Sequence, residues 1–366
     1  MIDNAPVRAV DAQKLGLIDE AKYRDDVENE LKKRLGYKDD DKLSTVKASD
    51  YRRVSQESLG LNQGDKIAVI YASGAIASGN SSDGGPFGGE HMVGSDTVVK
   101  ALMDARDDTS VKAIILRVDS PGGTSYASDI IWHAVEAAKQ KKPVVVSMSD
   151  LAASGGYYIS TGASRIVAEP STLTGSIGVF AGKPVLKGLY DWIGVNNEYV
   201  LRGKNAGMFR ETEKFTDDER AKFKAMLESF YWEDFVPKVA QGRKRDAKYI
   251  DSIGQGRVWS GTQGKENGLV DEFGGLDRAV EVAKQLAGIP ADKSVRRVVL
   301  PAPHTFLGQF FANDDDSSAS LQAAQQRAAF ESLPADMRRT LRYAAILDRM
   351  QRGEIMAMLP FDVEIK

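Results

Sequence analysis

The chain has 366 residues, 42% of them hydrophobic, no cysteine, and a net charge of −3 from 49 basic and 52 acidic side chains. Disulfides, thiolate metal sites and a cysteine nucleophile are therefore excluded, and so balanced a charge gives no global field to recruit nucleic acid. No stretch approaches the roughly 20 apolar residues needed to cross a bilayer, and residues 1–20 carry acids where a signal peptide needs an uninterrupted apolar core.

The first feature in chain order is a repeat. Residues 12–36 (AQKLGLIDEAKYRDDVENELKKRLG) align with residues 264–288 (GKENGLVDEFGGLDRAVEVAKQLAG). Setting Gly16 on Gly268 also pairs Leu17 with Leu269, Asp19 with Asp271, Glu20 with Glu272, Asp25 with Asp277, Lys32 with Lys284 and Gly36 with Gly288. So many identities at one offset point to an internal duplication; the alternative is a generic Gly-Leu-(Ile/Val)-Asp turn before an amphipathic helix. On the duplication reading, residues 1–60 are the tail of an earlier repeat followed by a charged linker, KDDDKLSTVKASDYRR.

Short apolar runs follow at 67–72, 111–118, 143–148, 165–168 and 198–201. Between them lie amphipathic patterns: SDTVVKALMDARDD, SYASDIIWHAVEAAKQ, KPVLKGLYDWIG and TDDERAKFKAMLESFYWEDFVPKVAQ. Strand-length runs alternating with helices predict an α/β domain of βα units with parallel strands over 61–290. The Gly- and Ser-rich stretch 78–94 reads either as a surface connection or as a loop bordering a cleft. Residues 291–366 read as an extension: an acidic linker (312–322), a helical segment, and an apolar tail, MAMLPF, suited to packing or oligomer contact.

His91, His133 and His304 lack ligand spacing, so neither a metal nor any other cofactor is expected. There is no phosphate-binding loop of the GxxxxGK[ST] type and no G-x-S-x-G elbow. What remains is DSPGG at 119–123 and DLAASGGYY at 150–158, each at the end of a predicted strand. Adjacent glycines let backbone N–H groups face outward with no Cβ in the way. Gly122 and Gly123 can thus form one side of an oxyanion hole, which is worth about 3–4 kcal/mol per donor. Ser154 reads on its own as a helix N-cap. Beside a second glycine turn it also reads as a nucleophile, with the Gly155 N–H joining the oxyanion side. No histidine has the context to be its base, which leaves a Ser–Lys pairing.

DSPGG, then VVVSMSDLAASGGYYIS, then IVAEPSTLTGSIGVF, and finally QGRVWSGTQGKENGLVDEFGGLDRAV at 255–280, closely resemble the signal peptide peptidase A family. The resemblance implies the crotonase-like, Clp-protease-like α/β superhelix, here with helical appendages at both ends. It also implies Ser154 as nucleophile and Ser176, in TGSIG, as the serine that hydrogen-bonds a catalytic lysine. In the family's short form that lysine lies in the segment matching YVLRGKNAGMFRET (199–212), where Ala206 takes its position and Lys204 is two places early. In the duplicated long form the lysine comes from the N-terminal half. Three readings follow: a serine-bearing half whose base comes from an N-terminal half, an inert peptide-binding scaffold, or a complete Ser154–Lys204 dyad. A crotonase-type acyl-CoA enzyme is disfavoured by the AASGG serine and by the lack of a basic nucleotide site. The resemblance further implies peptide substrates such as signal-peptide remnants, a homo-oligomer, and a location on the outer face of the cytoplasmic membrane. The first strand, IAVIYASGAI, is expected to offer an edge for β-augmentation of substrate.

Overall fold

The computed structural model describes residues 7–38, 40–51, 54, 57–82, 91–301 and 355–358. The backbone divides into two compact units, 1–61 and 62–366. The acidic linker, the helical segment after it, His304 and residues 83–90 of the 78–94 loop fall outside the described residues.

The first unit contains α1 (Ala9–Lys14), α2 (Arg24–Leu35) and α3 (Ala48–Tyr51), and none of the three buries a residue.

The second unit opens with β1 (Asp65–Ser73), β2 (Ala75–Ala77), β3 (Met92–Gly94), α4 (Ser95–Asp107), β4 (Val111–Ser120) and β5 (Gly122–Thr124). Next come α5 (Ser125–Lys139), β6 (Val144–Ala153), α6 (Gly155–Ser160), β7 (Arg165–Ala168), β8 (Leu173–Gly175) and α7 (Lys187–Ile193). The chain continues through α8 (Asp217–Ser229), a π-helical segment (Phe230–Phe235), α9 (Val236–Arg243), α10 (Ala247–Ile253), β9 (Val258–Ser260) and α11 (Gly261–Glu266). It closes with β10 (Glu272–Phe273), α12 (Leu276–Leu286), β11 (Val295–Leu300) and β12 (Met356–Met358).

The main sheet runs β10-β7-β6-β4-β1-β11 in parallel, with β8 continuing from β6 and β9 antiparallel to β8. Its strands are apolar on both faces, as a sheet covered on both sides requires. Ala68, Ile70, Ile114, Leu116, Val118, Val144, Val146 and Met148 face the thick helical layer that includes α4, α5, α6, α9 and α10. Ile67, Val69, Ala113, Ile115, Val145 and Val167 face α12. Each fully buried Val, Leu, Ile or Met side chain among them contributes about 1.5–3 kcal/mol. The α/β class with parallel βα units is thus the observed architecture.

Two expectations are corrected. The apolar run 198–201 is not a strand: it has no regular structure and Val200 is 96% exposed. An apolar tetrapeptide becomes a strand only where a sheet edge accepts it, and none does so here. Nor does the first strand offer a free edge. β4 covers one side of β1, and β11, from beyond residue 290, covers the other. The Gly-Ala-Ile part that follows, β2, lies between β3 and β5. The long pattern 216–241 forms as one helical run, but it passes through the π segment just before Pro237, which enters the first turn of α9. A proline has no N–H for the preceding turn, and a local change of hydrogen-bond register accommodates it.

The repeat carries over into structure. At the offset that sets Gly16 on Gly268, α1 coincides with α11 and α2 with α12. Gly16 and Gly268 both turn left-handed, at φ 70° and 73°, as do Gly36 and Gly288, at φ 78° and 69°. Leu17 N–H donates to Ala12 O as Leu269 N–H does to Gly264 O, and Tyr37 N–H to Lys32 O as Ile289 N–H does to Lys284 O. Burial separates the two copies. Leu269, Val270, Ala279 and Ala283 are buried, whereas their counterparts Leu17, Ile18, Val27 and Leu31 are exposed.

In the second copy the Gly-Leu-Val-Asp turn locks the fold. Asp271 accepts from the Ile166 N–H at 2.7 Å and from the Arg243 guanidinium at 2.6 Å, and Leu269 O accepts from the buried Tyr157 hydroxyl at 3.0 Å.

Candidate active site

Ser154 stands between β6 and α6. It follows a strand with both faces buried, and the small residues around it let three backbone segments converge. Its φ of 52° and ψ of −113° lie outside the regions open to ordinary L-residues. The strain is held by hydrogen bonds on both sides: Ser154 N–H donates to Gly175 O at 2.8 Å, and Tyr158 N–H to Ser154 O at 2.7 Å. The helix behind it is pinned by Tyr157, and by Tyr158, whose hydroxyl donates to Asp129 at 2.7 Å and accepts from Lys238 at 2.9 Å. Burial and the Asp129 carboxylate push the Tyr158 hydroxyl far above the ordinary phenol range, which keeps its proton in place as a donor.

Ser176 is brought to the same end of the sheet by pairing. β6 and β8 align Ala152 with Thr174 and Ala153 with Gly175, so the two serines are the next residues on neighbouring strands. Ser176 also has positive φ, 49°, and its N–H donates to Arg257 O at 2.7 Å. Backbone held in this region by its surroundings is a mark of functional sites. A cavity of about 460 Å³ opens beside Ser176, bordered by Phe180, Lys224, Tyr231, Gln255 and Met358.

The glycine turn completes the cluster. A Cβ placed on Gly122 would fall 2.6 Å from the Gly155 nitrogen, and one on Gly155 would fall 3.0 Å from the Gly123 nitrogen. The three glycines therefore lie close against one another. Their amides are not equivalent. Gly122 N–H donates to the Ser120 hydroxyl at 3.1 Å, Gly123 lies opposite Ala357 in the β5–β12 ladder, and Gly155 opens α6. Glycine is required at 122 twice over, by a φ of 101° and by this close approach.

Among the described residues, the Ser154 hydroxyl has a single hydrogen bond, to Gly178 O at 3.4 Å. Lys204 is not in the cluster. Its ammonium pairs with Asp218 at 2.9 Å, and both side chains are largely exposed. Lys224 borders the cavity, its ammonium pairs with Glu228 at 3.5 Å, and its side chain is largely exposed. No group of three His, Cys, Asp or Glu among the described residues is arranged to hold a metal ion. A hydroxyl on a strained turn beside glycine amides is the kind of arrangement that carries acyl transfer once a base reaches it; none stands on it among the described residues.

Sequence reasoning missed two features here. Asp119, at the end of β4, is raised above the usual carboxylate range by burial and by the nearby Asp150 carboxylate; its place in DSPGG was the available signal. The second is β12, whose pairing with β5 brings the Ala357 carbonyl oxygen against the glycine cluster.

Residues 136–290 match the model of peptidase family S49. Over 236 residues the chain is 34% identical to "Putative protease MJ0651" of Methanocaldococcus jannaschii, covering 64% of this chain and 75% of that protein. The chain belongs to peptidase family S49. It is also 40% identical over 293 residues to "Serine protease SPPA, chloroplastic" of Arabidopsis thaliana, which covers 80% of this chain and 43% of that protein. With "Protease 4" of Salmonella typhi the identity is 41% over 276 residues, covering 74% and 42%. The chain thus spans about half the length of these longer S49 relatives. All the clustered residues except Gly122 and Gly123 lie within the matched S49 region. No helix among the described residues is long and apolar enough to cross a membrane.

Proposed function

We propose that this chain is the serine-bearing half of a Ser–Lys peptidase that hydrolyses extended apolar peptides, signal-peptide remnants among them. Ser154 is the nucleophile, the Gly123 and Gly155 amides receive the oxyanion, and Ser176 orients a lysine supplied by a second repeat outside these 366 residues. The observation that carries the reading is the convergence of Ser154, Ser176 and the glycine amides with no described lysine on the Ser154 hydroxyl. The cavity beside Ser176 gives an incoming side chain room. The repeat supports a duplicated architecture: α2 exposes the positions that α12 buries against a sheet, so a second sheet is the natural partner of that face. The S49 relatives of about twice this length fit the same picture. A homo-oligomer on the outer face of the cytoplasmic membrane is the assembly this reading expects.

The lack of a base beside Ser154 among the described residues also favours an inert peptide-binding scaffold, and one assay separates the two. The chain is measured alone and with a lysine-bearing repeat, each with Ser154 and with Ser154→Ala, on a chromogenic peptide ester. Without a base, the oxyanion hole and binding keep only about 10³–10⁴-fold over water in comparable sites. Little turnover by the lone chain and Ser154-dependent turnover on reconstitution are expected. An inert mixture would establish the scaffold. Strong Ser154-dependent hydrolysis by the lone chain would mean a base exists within it.

A further inference from the structure

Met356–Met358 of the apolar tail lie against the glycine cluster next to Ser154. Ile355–Met358 is bound along both edges, as an extended peptide is in a peptidase groove. On one edge β12 runs antiparallel to β5, pairing Met356 with Thr124, Ala357 with Gly123 and Met358 with Gly122. Ser125 N–H donates to Ile355 O at 2.9 Å on the same edge. On the other edge Met356 and Phe180 exchange two hydrogen bonds, Met356 N–H to Phe180 O at 3.0 Å and Phe180 N–H to Met356 O at 3.1 Å. Both residues of the centre are sealed from solvent, Met356 at 1% and Ala357 at 0% exposure.

The register is specific. The Ala357 carbonyl oxygen lies so close to the glycine turn that a Cβ on Gly122 would fall 2.0 Å from it, and one on Gly155 would fall 2.9 Å away. Beyond it, Met358 borders the cavity beside Ser176. The Ala357–Met358 peptide bond therefore runs from the Gly122–Gly155 cluster toward the cavity beside Ser176.

We infer that Ile355–Met358 is a built-in pseudosubstrate: it occupies the peptide-binding groove of Ser154 and must leave before a substrate peptide binds. The inference rests on the reading of this site as a peptidase groove. Four residues with one pair of hydrogen bonds on the outer edge form a short strand, and its displacement exposes a groove already shaped for the next extended peptide.

Two measurements test it, and they fail differently. The first is amide hydrogen exchange on the full chain, on a chain ending at Glu354, and on Met356→Pro, which keeps the length but removes the N–H given to Phe180. Exchange at Ser125 and Phe180 should accelerate at least about ten-fold in both variants, while the Ser154 amide, bonded to Gly175 O, should not change. Unchanged exchange at Ser125 and Phe180 overturns the inference and leaves the peptidase reading standing. The second is fluorescence polarisation with a fluorescein-labelled peptide of sequence EIMAML. Binding at least about ten-fold tighter to the two variants than to the full chain is expected. Equal binding by all three chains overturns the inference. Accelerated exchange with no peptide binding by the opened chains sinks the peptidase-groove reading, and the inference with it.

Discussion

Ser154 and Ser176 are the residues next after Ala153 and Gly175, which face each other across β6 and β8, and both serines turn with positive φ, 52° and 49°. Two serines are thus presented side by side at the end of one sheet by strand register, with no bond between them required.

The strain at Ser154 has a measurable consequence. Ala at this position keeps a Cβ in an unfavourable backbone region, whereas Gly relieves it. Ser154→Gly should therefore be more stable than Ser154→Ala by about 1 kcal/mol, the reverse of the usual order. Urea unfolding of the two variants decides; Ala at least as stable as Gly would show that the turn is relaxed.

Lys204 serves as the control lysine. Its exposed pair with Asp218 is of a kind that contributes about 0–1 kcal/mol. Lys204→Ala should shift the unfolding midpoint only slightly and leave reconstituted peptidase activity within about two-fold. A loss of a hundred-fold or more with the fold intact would identify Lys204 as the base.

Asp271 tests the closing turn. Arg243 is nearly buried, and Asp271 is both its counter-charge and the acceptor for Ile166 N–H. Asp271→Ala leaves a buried guanidinium and a strand amide unpaired, which should cost about 3 kcal/mol or more. A loss under about 1 kcal/mol in urea unfolding would mean the pair is replaced by solvent.

The pH dependence of stability should carry a contribution from Asp119. Burial, then the Asp150 carboxylate, raise its carboxyl above the ordinary value of 3.8. The folded chain then holds a proton that the unfolded chain has already lost, so this contribution to stability falls as pH rises from 3.8 through the folded value and is level above it. Asp119→Asn should remove that fall: more stable than the parent at pH 7, with the difference closing as pH drops below the ordinary carboxylate value. A variant less stable than the parent at pH 7 would show that the charged carboxylate is favoured in the fold.

Local chemistry made much of this legible beforehand. The alternation of apolar runs and amphipathic helices dictates parallel βα units because strand and helix each bury a face set by residue spacing. DSPGG and AASGG announce the glycine turns because only glycine allows that backbone approach, and the repeat can be read from Gly16 and Gly268 onward. The run 198–201 was misread because apolarity alone does not supply a sheet edge.

What sequence by itself determined, then, is the α/β class, the glycine turns and the duplicated turn, all properties of short segments. Tertiary structure alone decided that Gly122 spends its amide on Ser120, that Lys204 faces Asp218, that β11 closes the edge of β1, and that Ala357 reaches the glycines at 122 and 155. Most of these join segments far apart in the chain, and even the nearest depends on side-chain and backbone orientation. No local propensity records such contacts; they exist only once the sheet has fixed where each segment lies.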